Sequence, residues 1–225
     1  MSAVFIKSEV ESDSEIANIE TKVAYFLSVL SPTTKIDTVA QPGDDVINIT
    51  RLNRHTGAAG YHVLLNGVPT GFVYPDATRP IWGEYRPAVR GRDITATILG
   101  KRIVIRKGQI RSLERFTPGV ITTICHEIAE MLADGDIATY TKPDWHGNQW
   151  LLEPADWVDG TYFTRTINGN LCVFPNVALP AFSDTTNKVG PYDIMGLVKA
   201  PFQPIMPHAY AYAKDPKTGG LVKIY

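Results

Sequence analysis

The run from Ile121 to Asp134, Ile-Thr-Thr-Ile-Cys-His-Glu-Ile-Ala-Glu-Met-Leu-Ala-Asp, sets His126, Glu127 and Glu130 in a His-Glu-x-x-Glu pattern. On a helix, residues four apart stand one above the other. His126 and Glu130 then project from one face, Asp134 continues the row, and Glu127 lies one position round from His126. In the related His-Glu-x-x-His pattern the two residues four apart hold a metal, and the Glu beside the first acts as general base. Here a carboxylate takes the second ligand position. Carboxylates in such a row repel one another, and a divalent cation relieves that repulsion. His and carboxylate ligands suit zinc. Exchanging an imidazole for Glu hardens the site and moves preference toward Mn, Fe or Ca. The chemistry on offer is hydrolysis, with Glu127 taking the proton of an activated water and passing it to a leaving amine. The competing reading of the same residues is the solvated polar face of an amphipathic helix.

A metal needs a third ligand. Glu153, in Leu151-Leu-Glu-Pro-Ala-Asp156, is the leading candidate, reached by a chain returning over the helix. Asp156 is a further ligand or a second carboxylate supporting His126. Asp136 stands ten positions after His126, the offset of the third ligand in the longer zinc motif of metzincins. Asp134 is another ligand or supporting group. Asp144 and His146, in the following loop, are further ligand options, set against a loop-capping Asp and a solvated His. His62, Tyr61 and Tyr192 are candidates to stabilise a tetrahedral intermediate. Cys125 falls on the apolar side of the helix and reads as core.

The helix that carries the motif must be positioned by its neighbours. Thr117 reads as its N-cap, Pro118 as its first residue and Gly135 as its C-cap. Ile121, Ile124, Cys125, Ile128 and Leu132 form an apolar stripe. An earlier helix over roughly 14–30 follows from Ile16, Ile19, Val23, Phe26, Leu27 and Leu30, with Pro32 after it. Residues 46–52 alternate as a half-buried strand does. Residues 60–65 and 71–74 form a hairpin about Asn66-Gly67, as do 162–167 and 171–174 about Asn168-Gly169. A third hairpin spans 94–99 and 103–106. Residues 71–74 (Gly71, Phe72, Val73 and Tyr74) are expected as an edge strand that pairs with an extended peptide. Residues 175–207, rich in Pro and Gly, read as irregular.

The chain has 225 residues, 44% of them hydrophobic and 20% charged, with a net charge of -1. Such a composition is that of a globular protein and makes no global case for nucleic acid or a membrane. The N-terminus lacks the features of a secretory signal, and two cysteines do not make a disulfide framework. A cytoplasmic or virion-associated setting is expected. Residues 9–20 are acidic and 86–115 basic, either a solvated face or a docking patch.

Cys125-His-Glu-Ile-Ala-Glu-Met-Leu-Ala-Asp134 resembles the active-site helix of a zincin-like family of uncharacterised bacterial and tailed-phage proteins. Gly60-Tyr-His62, the Glu153–Asp159 segment, Pro180-Ala-Phe182 and Tyr192–Phe202 match the same family in order. The resemblance implies an α+β, zincin-like fold: a twisted mixed sheet on the active-site helix, with an edge strand above it and an irregular C-terminal third. Residues 1–45 are expected as a helix and arm packed on a zincin-like domain of residues 46–225. The resemblance also implies that Glu130 is the family's own second ligand. Two functions follow as expectations. One is a metal-dependent peptidase using His126, Glu130 and Glu153 as ligands and Glu127 as base. The other is an inactive zincin-fold structural or accessory protein of a phage particle, in a homo- or hetero-oligomer. A peptide or protein substrate belongs to the first. The expected ion is zinc, with Mn, Fe or Ca as alternatives.

Overall fold

The computed structural model describes the chain apart from residues 1–2, 32, 40, 52–57, 76–83, 87–93, 99–100, 106–114, 136–137, 206–207 and 225, and describes only the backbone of 84–86, 94–98, 101–105 and 115–117. Most of the basic stretch at 86–115, and Asp136, therefore lie outside the described residues. The fold is mixed α+β. Its centre is a twisted five-stranded sheet built from β1 (Ala3–Ser8), β2 (Lys35–Asp37), β3 (Asp45–Ile49), β4 (Gly60–Leu65) and β5 (Val68–Val73), in the order β2-β1-β3-β5-β4. The β1–β2, β1–β3 and β3–β5 pairs are parallel, and β4–β5 is antiparallel.

Helix α1 (Asp13–Leu30) links β1 to β2. The Ser12 side chain accepts from the Glu15 N–H and caps its start. β1, α1 and β2 thus share one sheet and core with the strands that follow. Alternate residues Val4, Ile6, Ile47 and Ile49 turn toward α1 and α2 (Val120–Asp134) and share one core with Ile19, Val23, Phe26, Ile121, Ile124 and Ile128.

Backbone strands β6 (Glu84–Arg86), β7 (Ile94–Ile98), β8 (Lys101–Ile105) and β9 (Arg115–Thr117) pair as β6–β9 and β7–β8, both antiparallel. Thr117 closes β9, so α2 starts later than expected, with Gly119 at its N-cap. Thr122 takes over the anchoring: its Oγ1 accepts from the Gly119 N–H and donates to the Val173 carbonyl. That carbonyl lies in β11 (Asn170–Pro175), which forms a hairpin with β10 (Tyr162–Ile167). Asn168 and Gly169 turn it at φ 50° and 79°, as Asn66 and Gly67 turn β4–β5 at 52° and 80°. α2 is held between the sheet and the β10–β11 hairpin, and nearly all of it is buried.

The C-terminal third is largely irregular around an aromatic cluster of Trp150, Trp157, Phe182 and Phe202. A buried carboxylate organises part of it: Asp193 accepts from Asn176 Nδ2, Leu197 N–H and Val198 N–H. The last residues form a hairpin, β12 (Tyr212–Lys214) with β13 (Leu221–Lys223). No helix among the described residues is long and apolar enough to cross a membrane.

Candidate metal centre

Two glycines bring the β4–β5 hairpin down onto α2. Register pairs His62 with Gly71 and Gly60 with Val73, so these four share the face toward the helix. A Cβ on Gly60 would stand 2.6 Å from Glu127 Oε1, and one on Gly71 would stand 2.6 Å from Ile47 Cδ1. His62 is the polar side chain left between hairpin and helix. Gly135 serves the same close packing: its Cβ would meet Pro69 Cγ at 2.8 Å. Gly71, Phe72 and Val73 of β5 do not form the expected edge strand, and Tyr74 follows directly after β5. β5 is flanked by β3 and β4, so its backbone groups are already paired, and the outer strand is β4.

The polar face of α2 is not solvated. Glu127 and Glu130 are 4% and 3% exposed. Buried charges must be paired or bind a cation, which removes the bland reading of this face. His126 is the most open of the set, with 20% of its side chain exposed. Its Nε2 stands 3.1 Å from Glu130 Oε1 and 3.1 Å from Asp156 Oδ1. Asp156 arrives on a 3-10 turn, Asp156–Val158, whose Asp156 carbonyl accepts from the Tyr210 N–H. Glu153 lies on the other side, 4.0 Å from His62 Nε2 through Oε2. The Pro154 carbonyl between them accepts from the Ala178 N–H. His62 Nδ1 lies 3.4 Å from Glu127 Oε2 and 3.5 Å from Glu130 Oε2.

These atoms fall into two groups able to hold a divalent cation, His126–Glu130–Asp156 and His62–Glu130–Glu153, each with its ligand atoms within 4.8 Å of one another. In the first, both carboxylate oxygens stand 3.1 Å from the imidazole nitrogen, near the spacing of ligands around one ion. Ligand atoms ~2.0–2.1 Å from one zinc at tetrahedral angles stand about 3.3 Å apart. Glu130 Oε1 and Asp156 Oδ1, at 3.1 Å from the imidazole, nonetheless lack any hydrogen-bond partner, and so does His62 Nε2. Buried orphan acceptors aimed at one point are the pattern that a cation satisfies.

Electrostatics agrees. Burial pushes the Glu153 carboxyl up, and Glu130 adds to the push, to about 9. Burial and then Glu130 raise Asp156 to about 7. Burial likewise raises Glu127, partly offset by His62. Burial opposes the ionised form of Glu130 too, but His126 and His62 pull it down to about 2. Both imidazoles are pushed up by carboxylates against the effect of burial, His62 by Glu127 and Glu130 to about 10, His126 by Glu130 and Asp156. More acid groups are gathered here than the imidazoles neutralise.

Other residues singled out in the sequence serve elsewhere. Asp134 accepts from the Ala138 and Thr139 N–H groups and holds the chain leaving α2. Asp144 accepts from His146 N–H, Asn148 N–H and Trp150 Nε1, and His146 is exposed. Tyr192 donates to the Asn187 carbonyl, within the aromatic cluster. Tyr61 stacks on Phe72 across the strands. Sequence reading missed Tyr210, whose backbone N–H donates to the Asp156 carbonyl and whose phenol is pushed up by burial and by the Asp156 charge. No spacing signal could have found it, since it reaches the site from an irregular segment.

Two recesses meet at His126, Glu127, Gly60 and Tyr210. One, of about 370 Å³, is lined by His62, Glu130, Glu153 and Asp156; the other, of about 320 Å³, by Thr123, Asp159 and Tyr162. A third cleft of about 360 Å³, between Leu30, Leu132 and Pro180, has no titratable lining and lies on the other side of α2. No family model, no curated protein and no solved structure matches the chain.

Proposed function

We propose that the protein is a metal-dependent hydrolase of zincin type that cleaves peptide bonds. The observation that carries this reading is the convergence of His126 Nε2, Glu130 Oε1 and Asp156 Oδ1, two of them orphan acceptors, beside a buried Glu127 at an open cleft. These three residues would hold the ion, with Asp156 in the place expected of Glu153. Zinc suits one imidazole and two carboxylates, with Mn or Fe next. When bound, the ion supplies a Lewis acid and lowers the pKa of water.

The chain's own residues do the rest. Glu127 accepts a proton on its carboxylate and returns it to the leaving amine; its raised pKa suits a base that must also act as acid. His62 Nδ1 keeps the Glu127 carboxylate in place from above. Tyr210 holds the Asp156 backbone through its own N–H and lines the cleft beside the Asp156 carboxylate. β4, antiparallel and outermost in the sheet among the described residues, stands above α2, where its outer edge would receive an extended peptide.

The test is Glu127→Gln. It keeps the ligands and removes the base, so metal content should be unchanged while cleavage of a quenched-fluorescent peptide library falls about 10²–10⁴-fold. Undiminished cleavage by that variant overturns the mechanism. Metal bound at full occupancy with no cleavage by the wild type overturns the hydrolase and favours an ion kept for architecture alone.

A further inference from the structure

Glu130 presents its two oxygens to two different imidazoles. Oε1 lies 3.1 Å from His126 Nε2, and Oε2 lies 3.5 Å from His62 Nδ1. On the His62 side Glu153 completes a triad with its ligand atoms within 4.8 Å of one another. His62 is 7% exposed and Glu153 9%, and His62 Nε2 has no hydrogen-bond partner although Glu153 Oε2 is 4.0 Å away. A buried imidazole nitrogen without a partner, facing a carboxylate at a distance too long for a hydrogen bond, leaves room for an ion between them.

We propose that His62, Glu153 and the Oε2 side of Glu130 bind a second divalent cation, bridged to the first through the Glu130 carboxylate. The inference rests on the assignment of the first ion to His126, Glu130 and Asp156. Charge counting supports it. Glu127, Glu130, Glu153 and Asp156 are all buried around two imidazoles. When ionised, these four carboxylates carry one negative charge more than one divalent ion and a protonated His62 supply; a second ion in place of that proton balances them. The local architecture is suited to it as well. Gly71, opposite His62 in register, lets the hairpin lie close on α2, where a Cβ would meet Ile47 Cδ1 at 2.6 Å and Glu127 Cβ at 3.4 Å. One imidazole with two carboxylates takes Zn, Mn or Fe. Carboxylate-bridged ions in two-metal sites stand ~3.5–4 Å apart and hold the attacking and leaving atoms of a displacement together.

The experiment strips the protein with a chelator, reloads it with zinc or manganese alone and counts ions per chain by elemental mass spectrometry. Two ions are expected for the wild type, and one for His62→Ala and for Glu153→Gln. Manganese-loaded wild type should give an exchange-coupled paramagnetic resonance spectrum, and the two variants the six-line spectrum of an isolated ion. One ion in the wild type, unchanged in Glu153→Gln and without coupling, overturns the second site and leaves the first standing. Folded wild type that binds no ion overturns both. Two coupled ions without peptide cleavage would sink the hydrolase and keep the pair. Should His62→Ala lose its circular dichroism, Glu153→Gln and the wild-type spectrum decide the matter.

Discussion

Glu127 owes its position to an absent side chain. A methyl group on Gly60 would come within 2.6 Å of Glu127 Oε1 and 2.7 Å of Thr123 Cγ2. Gly60→Ala therefore has to push the carboxylate aside or lift β4 from α2. Overpacking of this kind costs about 1–3 kcal/mol, and a displacement of ~1 Å at a reacting group can cost about 10²-fold in rate. The variant should keep its metal, since His126, Glu130 and Asp156 are untouched, and lose roughly 10²-fold in peptide cleavage. Unchanged turnover would show that Glu127 is not the base. His126, Glu127 and Glu130 were legible because the helical period puts them on one face. His62, expected to stabilise an intermediate, and Tyr210 were not identified as parts of the candidate metal centre, because a strand residue and a loop residue enter it only through tertiary packing. Glu153 and Asp156 were both visible as carboxylates, but only the 3-10 turn at Asp156–Val158 decides which of them faces His126.

Secondary structure was legible wherever a local signal defined it. Ser12 starts α1, and the two Asn-Gly turns adopt the positive φ that fixes their hairpins. The short parallel strands β1 and β2 were not legible, because their partners lie far along the chain. Nor could the hairpin sequence tell which of β4 and β5 is the edge; that is settled by β3, which pairs with β5. β3 also carries a pH-sensitive weakness. Asp45 opens it opposite Val4, and burial, with Asp44 beside it, raises its carboxyl to about 6. Its unfolded value is about 3.9, so between about pH 4 and 6 the folded chain binds the proton that the unfolded chain has released. By linkage, stability falls as pH rises through that window, and the full penalty stands at neutral pH. Asp45→Asn removes the charge. Its melting temperature should exceed that of the wild type at pH 7 and match it at pH 4. Equal melting at both values would mean that Asp45 ionises freely in the folded strand.

The described residues pack into two cores, and the candidate metal centre lies at their seam. Ala155 belongs to the core formed by the sheet, α1 and α2, while Trp157 belongs to the aromatic cluster of the C-terminal third, stacked on Phe182 at 4.9 Å. Asp156 stands between them and faces His126 across the seam. An ion there would tie α2 to the irregular third, and through Glu130 the tie would extend toward β4. Without it, buried carboxylates repel one another where the two cores meet. Ion binding should thus stabilise the whole chain rather than order one loop. At a free ion concentration of ~100 times the dissociation constant the gain is about 2.7 kcal/mol, or roughly 5–10 °C in melting temperature for a chain of this size. A chelator should lower the melting temperature by that amount in a single transition, and Asp156→Asn should lose most of the response. If chelation leaves the wild-type transition where it was, no ion joins the two cores, and the carboxylates must be neutralised by protons instead.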